Sequence, residues 1–336
     1  MRTTGTAIAI VLLAAAPAAA EPRPDLAGKT VRLVIGSAPG GTYDILGRAV
    51  ARHIGRHLPG QPAVVPQNMP GAGGLVAANY VFNVAPRDGT VIAISNKGIA
   101  GAAIAGNPGA RFDALRLNWL GTPFTETSVC FAYNSPRLQV RSLADLYEKE
   151  LHAATLGAGT AATAYPKALA GLLGLKFKFV GGYTGTSQVY LAMERGEVEA
   201  FCEGIDGVLA KQPNWIPQKT ITLLLQGGAQ PNRDLKDVPF IIEHARTPDD
   251  RRALEFLYAA EGLGRPFFAP PHLPADVLAT ATGAFEKTMR DPDFIADAKK
   301  LGFDPRPETG AYLAALIKRM AATPQPIKDR VVALTR

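Results

Sequence analysis

The sequence predicts an α/β protein of two lobes, each a mainly parallel sheet flanked by helices. Three observations point there. Apolar β-forming runs alternate with helical stripes from residue 30 onward, the pattern of parallel strands covered on both faces. The same alternation starts afresh near residue 128. At 336 residues the chain also exceeds the size at which a single hydrophobic core stops growing.

The elements follow in order. Arg2 precedes an apolar run over 7–16, and Ala18, Ala19 and Ala20 offer a small-residue cleavage pattern before Glu21, so residues 1–20 read as a secretory signal peptide. The run is shorter than the roughly 20 apolar residues of a membrane-spanning helix. No cysteine lies near the cleavage point, which excludes lipid attachment there. The mature chain is expected to be soluble and exported. Val31, Leu33, Val34 and Ile35 then suit a buried strand, and Pro39, Gly40 and Gly41 make a turn with bare N–H groups. Thr42 is expected to cap a helix whose Ile45, Leu46, Ala49, Val50, Ile54 and Leu58 recur at helical spacing. Such a strand, turn and helix start offers free amides and a positive helix end, which favours an anion.

A second strand is expected at 63–68, a glycine turn at 70–74, and a helix at 75–83 with Val76, Tyr80 and Val81 inward. Strands at 90–95 and 118–122 complete the first series. The second series reads as strand 128–133, helix 142–150, strand 153–156, helix 161–173, strand 177–180, helix 187–195, and strands 198–202 and 220–226. From residue 274 the chain is mainly helical, with breaks at Asp291 and Pro292 and again at 305–307. Two series joined without a long linker imply a cleft between lobes, a favoured place for a ligand.

Composition removes several function classes. The net charge of +7 is spread without any block of five like charges, and the basic residues lack interleaved aromatics, which argues against nucleic acid. Cys130 and Cys202 are the whole thiol inventory. Either they are two separate buried thiols or they form a disulfide, and export favours the bond. The run GAGTAA at 157–162 matches a relaxed dinucleotide fingerprint, but the acid expected about 20 residues later is missing. His53 and His57 share a helical face without a third metal ligand, and they read as ordinary histidines. No nucleophile elbow, phosphate loop or zinc-protease motif occurs. An enzyme would need a site assembled across the cleft from Ser37, Asp44, Glu203 or Asp206, and nothing in their spacing demands one. No catalytic residue, metal or cofactor is expected.

The glycine turns at 39–41 and 70–74 follow the first two strands, so both should sit at one carboxyl edge of the sheet and face each other. Three ordered segments, APGGTYD at 38–44, QNMPGAGG at 67–74 and APRDGT at 85–90, make the chain resemble the extracytoplasmic solute receptors of tripartite tricarboxylate transporters, the TctC or Bug family. Weaker similarity continues through GGYTG at 181–185, DVP at 237–239 and FFAP at 267–270. The resemblance implies a periplasmic-binding-protein ("Venus flytrap") fold, with one lobe from 27–123 and 265–336 and the other from 124–264. It also implies periplasmic location, and closure on a small organic carboxylate that is handed to membrane transporter subunits. A monomer is expected. A receptor acting through a sensor partner is the alternative.

Within that frame the expected ligand donors are the amides of Gly40, Gly41, Gly73 and Gly74 and the hydroxyls of Ser37, Thr42, Thr160 and Thr186. Asp44 is expected to orient the first turn or hold water. Glu203, if it points inward, would favour an amino group or hydroxyl on the ligand. The sequence departs from the family at Ala158 and Ala162, where polar residues are common, and at Gly264, Arg265 and Pro266, where an aromatic residue is common. Arg265 either faces the cleft and meets a second anionic group of the ligand, with Glu203 as the other candidate partner, or faces solvent beside the hinge.

Overall fold

The computed structural model of the protein describes residues 25–157 and 160–335, so the expected signal peptide and residues Ala158 and Gly159 lie outside it. The first run of elements is β1 (Thr30–Ile35), α1 (Thr42–Ile54), β2 (Ala63–Asn68), α2 (Leu75–Asn83), β3 (Val91–Ile94), α3 (Ile99–Ile104) and β4 (Asn118–Thr122). The second is β5 (Ser128–Tyr133), α4 (Leu143–Glu148), β6 (Leu151–Ala154), α5 (Ala161–Leu173), β7 (Phe177–Val180), α6 (Thr186–Glu194), β8 (Ala200–Gly204), α7 (Ile205–Lys211) and β9 (Ile221–Gly227). Helix α8 (Pro248–Leu263) leads back to β10 (Phe267–Ala269), α9 (Ala275–Arg290), α10 (Pro292–Lys300), β11 (Glu308–Thr309), α11 (Gly310–Ala322) and α12 (Gln325–Leu334).

Two sheets result, ordered β11-β4-β10-β3-β1-β2 and β7-β6-β8-β5-β9. In the first, β1 pairs in parallel with β2 and β3, and β10 runs antiparallel between β3 and β4. In the second, β6 pairs in parallel with β7 and β8, and β5 runs antiparallel to β8 and β9. Both sheets are therefore mixed rather than mainly parallel. The reason is the path of the chain: β5 and β10 are the first strands after each passage between sheets, and a strand entered from the carboxyl edge must run away from it.

Burial on both faces explains the apolar strand β1, in which Val31, Leu33, Val34 and Ile35 are fully covered. Phe267 stacks on Phe285 at 5.1 Å and Phe268 on Trp119 at 5.4 Å, which locks β10 into the first sheet. Fully buried side chains of this size contribute about 1.5–3 kcal/mol each. In the second sheet Cys130 and Cys202 face each other across β5 and β8 and form the disulfide. Helix α12, grouped with the first lobe on sequence, packs against α5 and α8 of the second, with Leu334 lying over Gly171.

Several local expectations are corrected. Ile45 and Val76 are 37% and 43% exposed, since each sits in the first turn of a helix that begins beyond the edge of the sheet. Helix α1 stops at Ile54, and a short 3-10 turn carries Leu58 into the core. Thr42 does not cap α1; the N-cap is Gly41, whose extended backbone leaves the first turn open. Strand β6 ends two residues earlier than expected because its pairing with β7 closes at Ala154, opposite Val180. His53 and His57 bond Asp297 and Asp291, both at 2.9 Å, and so tie α1 and the turn after it to α10.

Candidate functional site between the lobes

The register places three loops at one edge of the first sheet. Because β2 and β3 flank β1 and run parallel to it, the turns after Ile35, Asn68 and Ile94 emerge side by side. Ser95 fixes their spacing. Its buried Oγ donates to the Gly74 carbonyl at 3.1 Å, and a Cβ at Gly36 or Gly74 would lie 2.3 or 2.2 Å from that oxygen. Only glycine permits this approach, and at Gly74 a φ of 94° requires it as well.

Asp44 organises the first turn. Its buried carboxylate accepts the Gly40 N–H at 2.8 Å, Arg48 Nε at 2.9 Å and Asn68 Nδ2 at 2.8 Å. Arg48 reaches on to Asn68 Oδ1 at 2.7 Å, and Asn68 Nδ2 also lies 3.0 Å from the Ser37 carbonyl. Burial alone would raise the Asp44 pKa, but the bonds from Arg48, Gly40 and Asn68 hold it below the ordinary carboxylate value. These bonds tie the first turn to the end of β2.

The Gly40 amide is thus used by the fold, and the Gly74 amide donates to Gly71 O at 2.9 Å. Among the described residues no acceptor meets the N–H groups of Gly41 or Gly73. A Cβ at Gly73 would meet nothing within 4 Å, so open space lies over that turn. Thr42 is exposed at the start of α1, and the Ser37 hydroxyl has only a long 3.4 Å approach to the Ala38 carbonyl.

The second sheet presents its own carboxyl edge. Thr160 precedes α5, and its hydroxyl lies 2.9 Å from the Gly157 carbonyl. Thr186 opens α6, half-buried, while Thr184 and Gln188 close the turn before it at 3.0 Å. Glu203, at the end of β8, accepts the Tyr190 hydroxyl, and burial pushes its carboxyl upward. It does not approach Arg265. Ala162 is buried against the apolar cluster of this lobe.

Arg265 belongs to the second passage between sheets, which lies against the first. Gly264 has a φ of 55°, and a Cβ there would sit 1.9 Å from the Phe124 carbonyl, so a larger residue would force the two strands of chain apart. The Arg265 amide donates to Thr122 Oγ1 at 3.0 Å, and the Glu126 amide to the Glu261 carbonyl at 2.8 Å. Rather than facing solvent, the guanidinium pairs with Glu126, donates to the Tyr43 hydroxyl at 3.0 Å and stacks 4.4 Å from the Tyr43 ring. Lys97, just past β3, bridges Glu126 and Glu261, the latter at 2.7 Å, and Tyr165 of α5 donates to Glu261. Burial would lower the Lys97 pKa, but the two carboxylates hold it well above normal; for Glu126 burial pulls upward and is outweighed by Lys97 and Arg265. Sequence reasoning missed Lys97, Glu126, Glu261 and Tyr165, which come from four separate segments.

No family model matches the sequence. A UPF0065 protein of Bordetella pertussis is 30% identical over 196 residues, 56% of this chain and 58% of that protein's length. Solved structures align over nearly the whole described chain. A TctC solute binding protein from Polaromonas, without ligand, covers 90% of this chain and 98% of its own at TM-score 0.71 and 16% identity. MatC of Rhodopseudomonas palustris with bound malate covers 90% and 98% at TM-score 0.57 and 22% identity. A second R. palustris protein, with adipate, covers 90% and 97% at TM-score 0.57 and 17% identity. With its two mixed sheets, its paired passages between them and its glycine turns at one sheet edge, the chain has the two-lobed fold of the TctC/Bug periplasmic binding proteins.

Proposed function

We propose that the protein is an exported, monomeric periplasmic receptor that captures a small organic carboxylate between its lobes and delivers it to a tripartite tricarboxylate-type membrane transporter, without catalysis. The observation that carries this reading is the pair of unengaged amides, Gly41 and Gly73, on turns held side by side by Ser95 and Asp44. Together with the open first turn of α1 they form a neutral, preorganised cradle for one carboxylate. Thr42 and Ser37 border it, and Thr160, Thr186 and Glu203 lie on the edge of the other lobe. Two proteins of the same fold hold malate and adipate, which supports the ligand class.

The test is a thermal-shift and calorimetric titration of the mature chain with straight-chain C3–C8 carboxylates. A ligand present at about 100 times its Kd should stabilise the protein by about 2.7 kcal/mol. Gly73→Val should weaken every binder roughly tenfold or more, because its side chain enters the cradle and its φ of 63° disfavours any residue with a Cβ. Absence of binding by every carboxylate would overturn the reading.

A further inference from the structure

We infer, resting on that reading, that Glu126 and Asp206 exclude a second carboxylate from the far end of the cleft, so that the receptor selects monocarboxylates over diacids of equal length. The cradle at Gly41 and Gly73 satisfies one carboxylate with neutral donors. A second carboxylate would need a cation, and Arg48, Lys97 and Arg265 are each already paired with a carboxylate, although the buried Arg265 Nε has no hydrogen-bond partner among the described residues. Tyr43, the residue after Thr42, connects cradle to cluster: its hydroxyl accepts from Arg265 at 3.0 Å and from the Lys97 amide at 3.1 Å. Arg265 is closed on Glu126, and Lys97 lies between Glu126 and Glu261.

The charge count decides the preference. Lys97 and Arg265 are matched one for one by Glu126 and Glu261. From the second lobe Asp206, in the first turn of α7, adds a further carboxylate. Burial raises its pKa, and beyond burial it feels the charge of Glu126, which raises it further, and those of Arg265, Arg306 and Lys97, which lower it. Lys97, Arg265 and Arg306 each already pair with a carboxylate, so a second ligand carboxylate would have to displace Glu126 from a partly enclosed guanidinium. Discrimination by leaving a charge unanswered is the effective kind, since an unpaired charge in such a place is costly.

The experiment titrates wild type, Glu126→Gln and Asp206→Asn with matched pairs of straight-chain mono- and dicarboxylates, C4 to C8, by calorimetry at neutral pH. Wild type should bind the best monocarboxylate at least tenfold more tightly than its diacid. Each variant should shift that ratio toward the diacid by threefold or more, and Glu126→Asp, which keeps the charge, should not. Diacids bound by wild type as tightly as monoacids, or a ratio unchanged in the folded variants, would overturn the inference while leaving carboxylate binding intact. Should Glu126→Gln fail to fold, Asp206→Asn, an exposed helix-start change, decides together with the wild-type ratio. If neither class binds wild type, the receptor reading itself falls.

Discussion

Asp44 shows how one side chain can set the geometry of a glycine turn. A carboxylate in the first turn of a helix is favoured by the helix dipole. Here it reaches back to the Gly40 amide and sideways to Arg48 and Asn68, so it fixes β1's turn to the end of β2. Its pKa is held below the ordinary value, so the unfolded chain binds the proton more readily and the stabilisation is complete above about pH 4 and lost as pH falls through the folded pKa. Asp44→Asn should therefore destabilise the protein by about 1–3 kcal/mol at pH 7, with a difference from wild type that shrinks as urea unfolding is repeated below about pH 4. A constant difference from pH 7 to pH 3 would show that charge plays no part. The Asp44 turn was legible in sequence because its partners are local or lie in the next glycine motif. The Lys97 cluster was not. Its bonds span 29 and 164 residues, and no periodicity marks a lysine that will meet two glutamates only after both passages have formed.

At the scale of elements, alternation and turn chemistry located most strands and helices, and the parallel pairing of β1 with β2 followed from them. Helix α8 escaped because Ala253, Leu254, Phe256, Leu257, Tyr258 and Ala259 are all buried, which leaves no amphipathic stripe to read. The antiparallel strands β5 and β10 depend on where the chain crosses, which no window of sequence contains. The disulfide is the strongest covalent statement at this scale, since it joins neighbouring strands in the middle of the second sheet across 72 residues of chain. Loop-closure entropy for such a span predicts that Cys130→Ala with Cys202→Ala lowers unfolding free energy by about 2–4 kcal/mol, measured by denaturant melts of both proteins under oxidising conditions. Both sulfurs are buried, so reductant added to the folded protein should act slowly, at the rate of opening. Equal stability of the double variant and wild type would mean that the bond constrains nothing beyond what the sheet already holds.

At the scale of the whole molecule, the two lobes meet through charge as well as through apolar packing. Tyr43 and Lys97 come from the first lobe, Glu126 and Arg265 from the two passages, Glu261 from the end of α8 and Tyr165 from the second lobe. A network of this kind holds a particular arrangement of the lobes only while every member has its partner, since a half-satisfied buried network is worse than none. Lys97 is the member on which two carboxylates depend, and Glu261 is almost wholly enclosed, with its side chain 2% exposed. Lys97→Met should therefore destabilise the protein by about 3–5 kcal/mol. Adding Glu261→Gln should recover a large part of that loss, because an amide in the same place can accept from Tyr165 without a charge to neutralise. Urea unfolding of wild type, both single variants and the double variant closes the thermodynamic cycle. A coupling energy near zero would mean that Lys97 and Glu261 act independently, and the cluster could not then be what sets the resting geometry of the cleft.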